Sequence, residues 1–275
     1  MEIGTGEIKI SFFWVMQRSQ GVVWTMLNMI PDWRSDHPHE IIGIEDCNHL
    51  MEKIATNFLR LCCNILKNRD MVTLILSGGR TPGVLNRYIV SFSSKYDIDW
   101  TRIFVFFSDD RCVPQGHPDN NYRMIQETLL RHVGIPESNI HRIQGEGGPE
   151  KAALRYENIL KHFFGNIRYP EFDLALLGIG TDGHTASLFP QNKSLYEQNK
   201  LVVPAGRGPE GHERVTMSYP LLNRSRNIWF LIIGEEKKKI LKKLRYGDYE
   251  PFNCPAQGIK PEHGNLIYFT DQNPA

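Results

Sequence analysis

The sequence of 275 residues predicts the α/β class, a mostly parallel sheet with helices on both faces. Three observations predict it. From about residue 39, apolar runs of strand length alternate with stretches of helical periodicity. Several runs, among them "MVTLILS" (71–77), "RIFVFFS" (102–108) and "NIWFLIIG" (227–234), are nearly continuous in apolar residues, as strands covered on both faces must be. The segments after these runs are rich in glycine and polar residues, and open α/β sheets bind ligands at that end of their strands. Together these give a Rossmann-like three-layer architecture.

In chain order, "EIIGI" (40–44) is the first strand, followed by a helix on which Leu50, Ile54, Phe58, Leu61, Cys62 and Ile65 share a face. "MVTLILS" leads into a helix from about Pro82, and "RIFVFFS" precedes a helix from about Asn121 to His132. A helix from Glu150 to Phe164 precedes "FDLALLG" (172–178). The strands "LVVPA" (201–205), "RVTMSY" (214–219) and "NIWFLIIG" follow, then the helix "EEKKKILKKLR" (235–245) and the strand "NLIYF" (265–269). No repeat, low-complexity tract or polar linker interrupts residues 39–275, which are expected to form a single domain. Residues 1–38 fit the alternation poorly and read as an N-terminal extension: an extra segment, a flexible tail, or the result of a start codon set too early.

Lys and Arg number 32 against 31 Asp and Glu, so bulk charge gives no reason to expect nucleic acid or an anionic membrane as a partner. Any anion site must be local. The short apolar runs "ISFFWVM" and "VVWTMLNMI" fall well below the roughly 20 residues a membrane span needs, and no signal-peptide cleavage pattern follows them. Cys47, Cys62, Cys63, Cys112 and Cys254 are odd in number and contain no C-x-x-C pair, as expected of reduced packing residues in a cytoplasmic protein. Nothing in the sequence fixes oligomeric state, and a monomer or weak homodimer is the expectation.

Three loops carry chemistry. In "SGGRTPG" (77–83), Gly78 and Gly79 allow backbone N–H groups to approach a ligand, Ser77 and Thr81 add hydroxyls, and a helix start adds positive potential. This suits a phosphate, although a strand-to-helix turn that merely needs glycine reads the same way. The G-K-[ST] ending of a nucleoside-triphosphate loop is absent, so a small phosphorylated metabolite fits better. Arg214 and Lys237, each beside an inferred strand end, are candidate cations for it, yet either alone reads equally as a solvated surface charge.

In "LGIGTDGHTASLFP" (177–190), Gly178, Gly180 and Gly183 mimic a dinucleotide turn. The nearby Pro190 argues against a long helix, and no acid ends the next strand, so a nicotinamide or flavin site is not expected. Asp182 and His184, two residues apart, can instead share one side of the loop as a proton-transfer pair. No H-x-x-x-H or cysteine cluster accompanies them, so no metal is expected at this pair. The third loop, "SDDRCVPQGHPDNNYRM" (108–124), gathers Asp109, Asp110, Arg111, Asn120 and Asn121. It reads either as a self-neutralising turn or, with Arg111, as a support for an anion or developing oxyanion.

Taken together, "LSGGRTP", "FFSDDRCVPQGHPDNNYRM", "FDLALLGIGTDGHTASLFP", "ERVTMSYPLLNRSRNIWFLIIGEEKKKIL" and "PAQGIKPEHGNLIYFTD" resemble the 6-phosphogluconolactonase family, within the glucosamine-6-phosphate isomerase/deaminase-like group. The five segments are colinear with the family and span roughly residues 39–271. The resemblance implies a lactonase-like catalytic domain that hydrolyses 6-phosphoglucono-δ-lactone, a phosphosugar lactone of the oxidative pentose phosphate route, with no metal or organic cofactor. It implies that His184 is the general base with Asp182 beside it. Ser77, Gly78, Gly79 and Thr81 then form the phosphate loop, and Arg214 and Lys237 are phosphate ligands. Asp109, Arg111 and Asn121 line the substrate end of the pocket. Where the family commonly has D-E-R, this chain has Asp109-Asp110-Arg111, with Asp110 one methylene shorter. The deaminases of the group resemble D-G-H-I-A-F-N-E-P in the second loop and D-E-Y in the third. Here Phe189 replaces the proton-transferring glutamate before proline, and Arg111 replaces the tyrosine. A non-catalytic phosphosugar-binding regulator on the same fold is the other alternative, against which the intact Asp182 and His184 count.

Overall fold

The computed structural model describes residues 23–27 and 39–273. Its main sheet begins with β1 (Val23–Leu27) and β2 (His39–Ile44). The first half continues through α1 (Cys47–Leu66), β3 (Val72–Leu76), α2 (Arg80–Ser93), β4 (Ile103–Phe107), β5 (Asp109–Arg111), α3 (Asn121–Ile125) and β6 (Ile140–His141). The second half comprises α4 (Pro149–Phe163), β7 (Leu174–Gly178), β8 (Val202–Arg207), β9 (Glu213–Met217), α5 (Tyr219–Leu222), β10 (Asn227–Ile232), α6 (Lys238–Tyr246) and β11 (Asn265–Thr270).

The main sheet runs β1-β2-β11-β10-β7-β3-β4-β6, and every neighbouring pair is parallel except β1 with β2. The mostly parallel sheet with packed helices expected from the sequence is therefore present. β1 falls within residues 1–38, so the boundary expected at residue 39 does not mark the edge of the sheet. The rest of that extension lies outside the described residues. Along the chain, β3, β4 and β6 step toward one edge, whereas β7, β10 and β11 step toward the other. The direction reverses between β3 and β7, and at such a switch point the loops leaving two adjacent strands diverge and open a crevice.

Register between those two strands is pinned from below. Asp173, 1% exposed, accepts from Thr73 N (2.9 Å) and Thr73 Oγ1 (3.1 Å) and pairs with Arg69. Above this tie, β3, β4, β7 and β10 are almost wholly apolar and buried, since a strand covered on both faces has no solvent side for polar residues. α1 is capped by the Asp46 side chain, which accepts from His49 N (3.0 Å), and it buries Leu50, Ile54, Phe58 and Cys62. α1 packs against α2, and α4 packs against β8 and β9. The five cysteines are free. Burial raises the pKa of the Cys62 and Cys254 thiols, consistent with packing roles.

Two elements differ from the sequence pattern. "LVVPA" and "RVTMSY" do not enter the main sheet. As β8 and β9 they form an antiparallel sheet with β5, in the order β5-β9-β8. The glycines of "GRGPEG", with Gly206 at φ 74° and Gly211 at φ 84°, reverse the chain within a few residues, too short a connection for a parallel crossover. The helix expected from Asn121 to His132 is α-helical only to Ile125 and then widens into a π-helical segment, Gln126–Leu130. No helix among the described residues is long and apolar enough to cross a membrane.

Candidate active site

A cleft of about 600 Å³ lies over the ends of β3 and β7, where the sheet reverses direction. Ser77, Gly78, Gly79, Thr81, Asp109, Arg111, Asn121, His184, Arg214 and Lys237 all line it. Asp182 stands beside His184 in the same loop. The three polar loops picked out in the sequence thus meet, because β3, β4 and β7 are neighbours and end at the same edge.

The β3 loop opens α2 with Gly79 at φ 110°, and no side chain among the described residues caps that helix. Its first backbone N–H groups therefore face the cleft without a side-chain acceptor, which is the arrangement that attracts an anion. Gly78 cannot be replaced without moving a neighbour, since a Cβ there would overlap the Asn121 side chain. The Thr81 hydroxyl has no hydrogen bond among the described residues. The Ser77 hydroxyl, expected to add to the loop, has its own partners: its Oγ donates to Leu176 O (2.8 Å) and lies 2.9 Å from Ser108 Oγ. As the last residue facing into the sheet, it spends its proton on β7, and its side chain ties strands together.

Asp109 is equally committed. Ser108 Oγ (2.7 Å) and Ser187 Oγ (2.6 Å) donate to its two carboxylate oxygens, and Asn121 Nδ2 donates to its carbonyl (3.0 Å). It therefore joins the β4 end to the His184 loop. Asp110, fully buried, accepts from Arg111 N (2.7 Å), Asn121 N (2.8 Å) and Tyr122 N (3.3 Å), so the shorter carboxylate still holds the start of α3. Burial pushes its pKa up to about 7, against those donors, with the Asp109 charge adding to the rise. The folded state then holds a proton that the unfolded chain releases near pH 4, so this group's contribution to stability is complete below about pH 4 and is lost as pH rises to about 7. Denaturant titrations at about pH 5 and pH 8 should show stability falling with pH, with a visibly smaller fall in Asp110→Asn.

In the β7 loop, His184 Nδ1 lies 2.6 Å from Asp182 Oδ1, which also accepts from His184 N (3.1 Å). Burial opposes ionisation of Asp182, but the ring and backbone hydrogen bonds and the charge of His184 outweigh it and hold the carboxyl below its ordinary pKa. A carboxylate accepting from Nδ1–H leaves the lone pair on Nε2. Gly180 makes room for this pair, because a Cβ there would land on the His184 ring and the Asp182 carboxylate. The Phe189 ring packs beside the imidazole, centroids 5.0 Å apart.

Lys237, in a short turn after β10, donates from Nζ to Ile179 O (2.8 Å) and so borders the His184 loop. On the opposite wall, β5 and β9 place Arg111 directly across from Arg214. Arg214 is 3% exposed. Arg111 Nη1 donates to Asp119 O (2.6 Å), and Glu210 bridges the two guanidiniums, 3.4 Å from Arg111 Nη2 and in contact with Arg214 Nη2. Partial burial opposes the charged form of Glu210, yet its own backbone amide and the two arginines keep its carboxyl below the ordinary range.

Sequence reasoning missed Glu210 and Arg80. Arg80 sits inside the glycine motif, lines the cleft and has no partner among the described residues. Its place within "SGGRTPG" was the available signal. Glu210 had none, because only the hairpin that brings β8 back onto β9 carries it to the arginines.

Residues 45–268 match the model of the family described as glucosamine-6-phosphate isomerases/6-phosphogluconolactonase. The chain belongs to this family. It is 39% identical over 210 residues to a 6-phosphogluconolactonase of Synechocystis sp., covering 75% of this chain and 85% of that one. It is 35% identical over 215 residues to the 6-phosphogluconolactonase of Homo sapiens, covering 78% and 83%. Among solved structures, the 6-phosphogluconolactonase of Thermotoga maritima superposes with a TM-score of 0.69 at 29% identity, covering 84% of this chain and 97% of that one.

Proposed function

We propose that residues 39–275 form a cytoplasmic 6-phosphogluconolactonase, which hydrolyses 6-phosphoglucono-δ-lactone to 6-phosphogluconate with His184 as general base. The observation that carries this reading is the Asp182–His184 pair, 2.6 Å apart, at the edge of a cleft whose other walls are an uncapped helix start and two arginines. The substrate phosphate binds the N–H groups of the Gly78–Thr81 turn and the Thr81 hydroxyl, with Arg214 and Lys237 closing on it. Its arrival displaces Glu210 from the arginine pair. Arg111, across β5–β9 from Arg214, or a loop N–H stabilises the oxyanion.

A lactone is an activated ester, so the protein has only to supply a hydroxide equivalent and hold charge. His184 Nε2 takes a proton from water as its oxygen attacks the carbonyl carbon. The tetrahedral intermediate then collapses, the ring C–O bond breaks, and the same proton passes to the departing ring oxygen. Asp182 holds the imidazole in the required tautomer and stabilises its cation. The reading as a deaminase loses support at Phe189, whose apolar ring flanks His184 where that chemistry needs a second proton carrier.

The test is acid release. With freshly prepared lactone at pH 7, purified protein should speed proton release well above the spontaneous rate, without ammonia formation from glucosamine 6-phosphate. A rate equal to the blank, with phosphosugar binding retained, would leave a non-catalytic binder.

A further inference from the structure

A second group of ligand-type side chains stands on the outer side of the arginine wall. His117 and Asp119 lie between β5 and α3, and His212 ends the turn that joins β8 to β9. His212 Nε2 is 3.0 Å from Asp119 Oδ2, and His117 Nδ1 is 3.8 Å from the same oxygen. The two imidazoles meet edge-on, centroids 5.2 Å apart, and one ligand atom from each of the three residues lies within 4.8 Å of the others. Among the described residues no other group of His, Cys, Asp and Glu converges in this way. Asp119 makes no ion pair with Arg or Lys among them; its carboxylate faces only the two imidazoles.

We propose that His117, Asp119 and His212 bind one divalent transition-metal cation, zinc by donor preference, at a site separate from the reacting centre. Two imidazole nitrogens and one carboxylate oxygen, with water in the fourth position, are a donor set that zinc favours over calcium or magnesium, which prefer all-oxygen shells. Zinc–nitrogen bonds of about 2.0–2.1 Å put tetrahedral ligand atoms about 3.3 Å apart. The His212–Asp119 pair already has nearly that spacing, and small rotations of the half-exposed rings bring in the rest. Asp119 N–H donates to His117 Nδ1 (3.1 Å), so this nitrogen carries a lone pair, which turns from that amide to the cation as the ring rotates. On binding, the cation takes the place of the proton between His212 Nε2 and Asp119, and the imidazole keeps its one proton on Nδ1.

The ligands are braced toward the cleft. Asp119 O accepts from Arg111, and His212 O accepts from Gly208 N (2.9 Å), closing the turn that carries Glu210. The cation would clamp this turn to the loop that fixes Arg111. Its role is structural: it sets the spacing of the wall that holds Arg111 and Arg214, and it takes no part in the proton transfer at His184.

The test uses the full chain after chelator treatment and gel filtration. Calorimetry with Zn²⁺ should show one equivalent bound, with affinity falling as the imidazoles are protonated at acid pH, and Co²⁺ should give the visible bands of a four-coordinate site. Because loss of an outer partner alone weakens metal sites by about 10- to 100-fold, His117→Ala and His212→Ala should each weaken binding by at least that range. Zinc should raise the melting temperature of the wild type and not of His212→Ala. His184→Ala and the exposed-histidine control His263→Ala should bind as the wild type does. Absence of binding in the wild type overturns the proposal, as does binding that survives both ligand substitutions. Binding abolished by His184→Ala overturns it too, by moving the ion to the reacting centre.

Discussion

Replacing His184 with alanine is expected to lower kcat by about 10² to 10⁴, the usual range for general-base assistance, while product binding changes little. The split follows from geometry. The imidazole contributes one hydrogen-bonding edge to a cleft whose anion-binding groups belong to other elements, the α2 start and the β5–β9 arginines. Removing it deletes proton transfer and leaves the phosphate contacts standing. Steady-state lactone hydrolysis, corrected for the spontaneous reaction, gives the first quantity, and calorimetric titration with 6-phosphogluconate gives the second. Two companion variants separate the base from its support. Asp182→Asn should retain the fold and lose kcat, because an amide can neither fix the Nδ1–H tautomer nor stabilise the imidazolium. Gly180→Ala should lose activity although it alters no functional group, since its Cβ displaces the pair. Full activity in His184→Ala would remove the base assignment outright.

The site was legible in the sequence wherever function depends on residues next to one another in the chain. The Asp182–His184 pair is local, and so is the Gly78–Gly79 turn, because a strand end and a helix start are joined by the very residues that bind. The main sheet was legible for a related reason. Runs such as "RIFVFFS" can lie only between two covered faces, so their burial is written into composition. What was hidden depends on contacts between distant segments. Nothing local says that "RVTMSY" leaves the main sheet, and only that departure sets Arg214 opposite Arg111 and carries Glu210 to both. The same hairpin brings His212 to Asp119 across nearly a hundred residues. The partner of the Ser77 hydroxyl was hidden for the same reason, since it is decided by the neighbouring strand, here through Leu176 O, and a sequence does not show its neighbours.

Arg214→Ala should chiefly raise KM, by roughly one and a half to three and a half powers of ten, since removing one member of a buried, charge-assisted hydrogen-bond set costs about 2–5 kcal/mol. Arg214 is almost fully enclosed, beneath Gly208 and opposite Arg111. Its charge therefore acts through little screening water, and the phosphate it meets carries nearly two negative charges. In the ligand-free protein Glu210 supplies one negative charge to the pair, and among the described residues the Nε of each arginine has no hydrogen-bond partner. A dianion offers more acceptors and more charge than one carboxylate, so exchange favours the substrate, but the carboxylate must first be displaced. Glu210→Gln should accordingly act in the opposite direction, lowering KM severalfold with kcat unchanged. Arg214→Lys should recover only part of the loss, because an ammonium cannot present the two parallel donors of a guanidinium. Initial-rate measurements over a range of lactone concentrations decide the matter, with thermal melts of each variant to show that the small sheet survives. If Arg214→Ala instead lost kcat at unchanged KM, the guanidinium would have to sit over the carbonyl, and Arg111 and Arg214 would exchange the roles given to them.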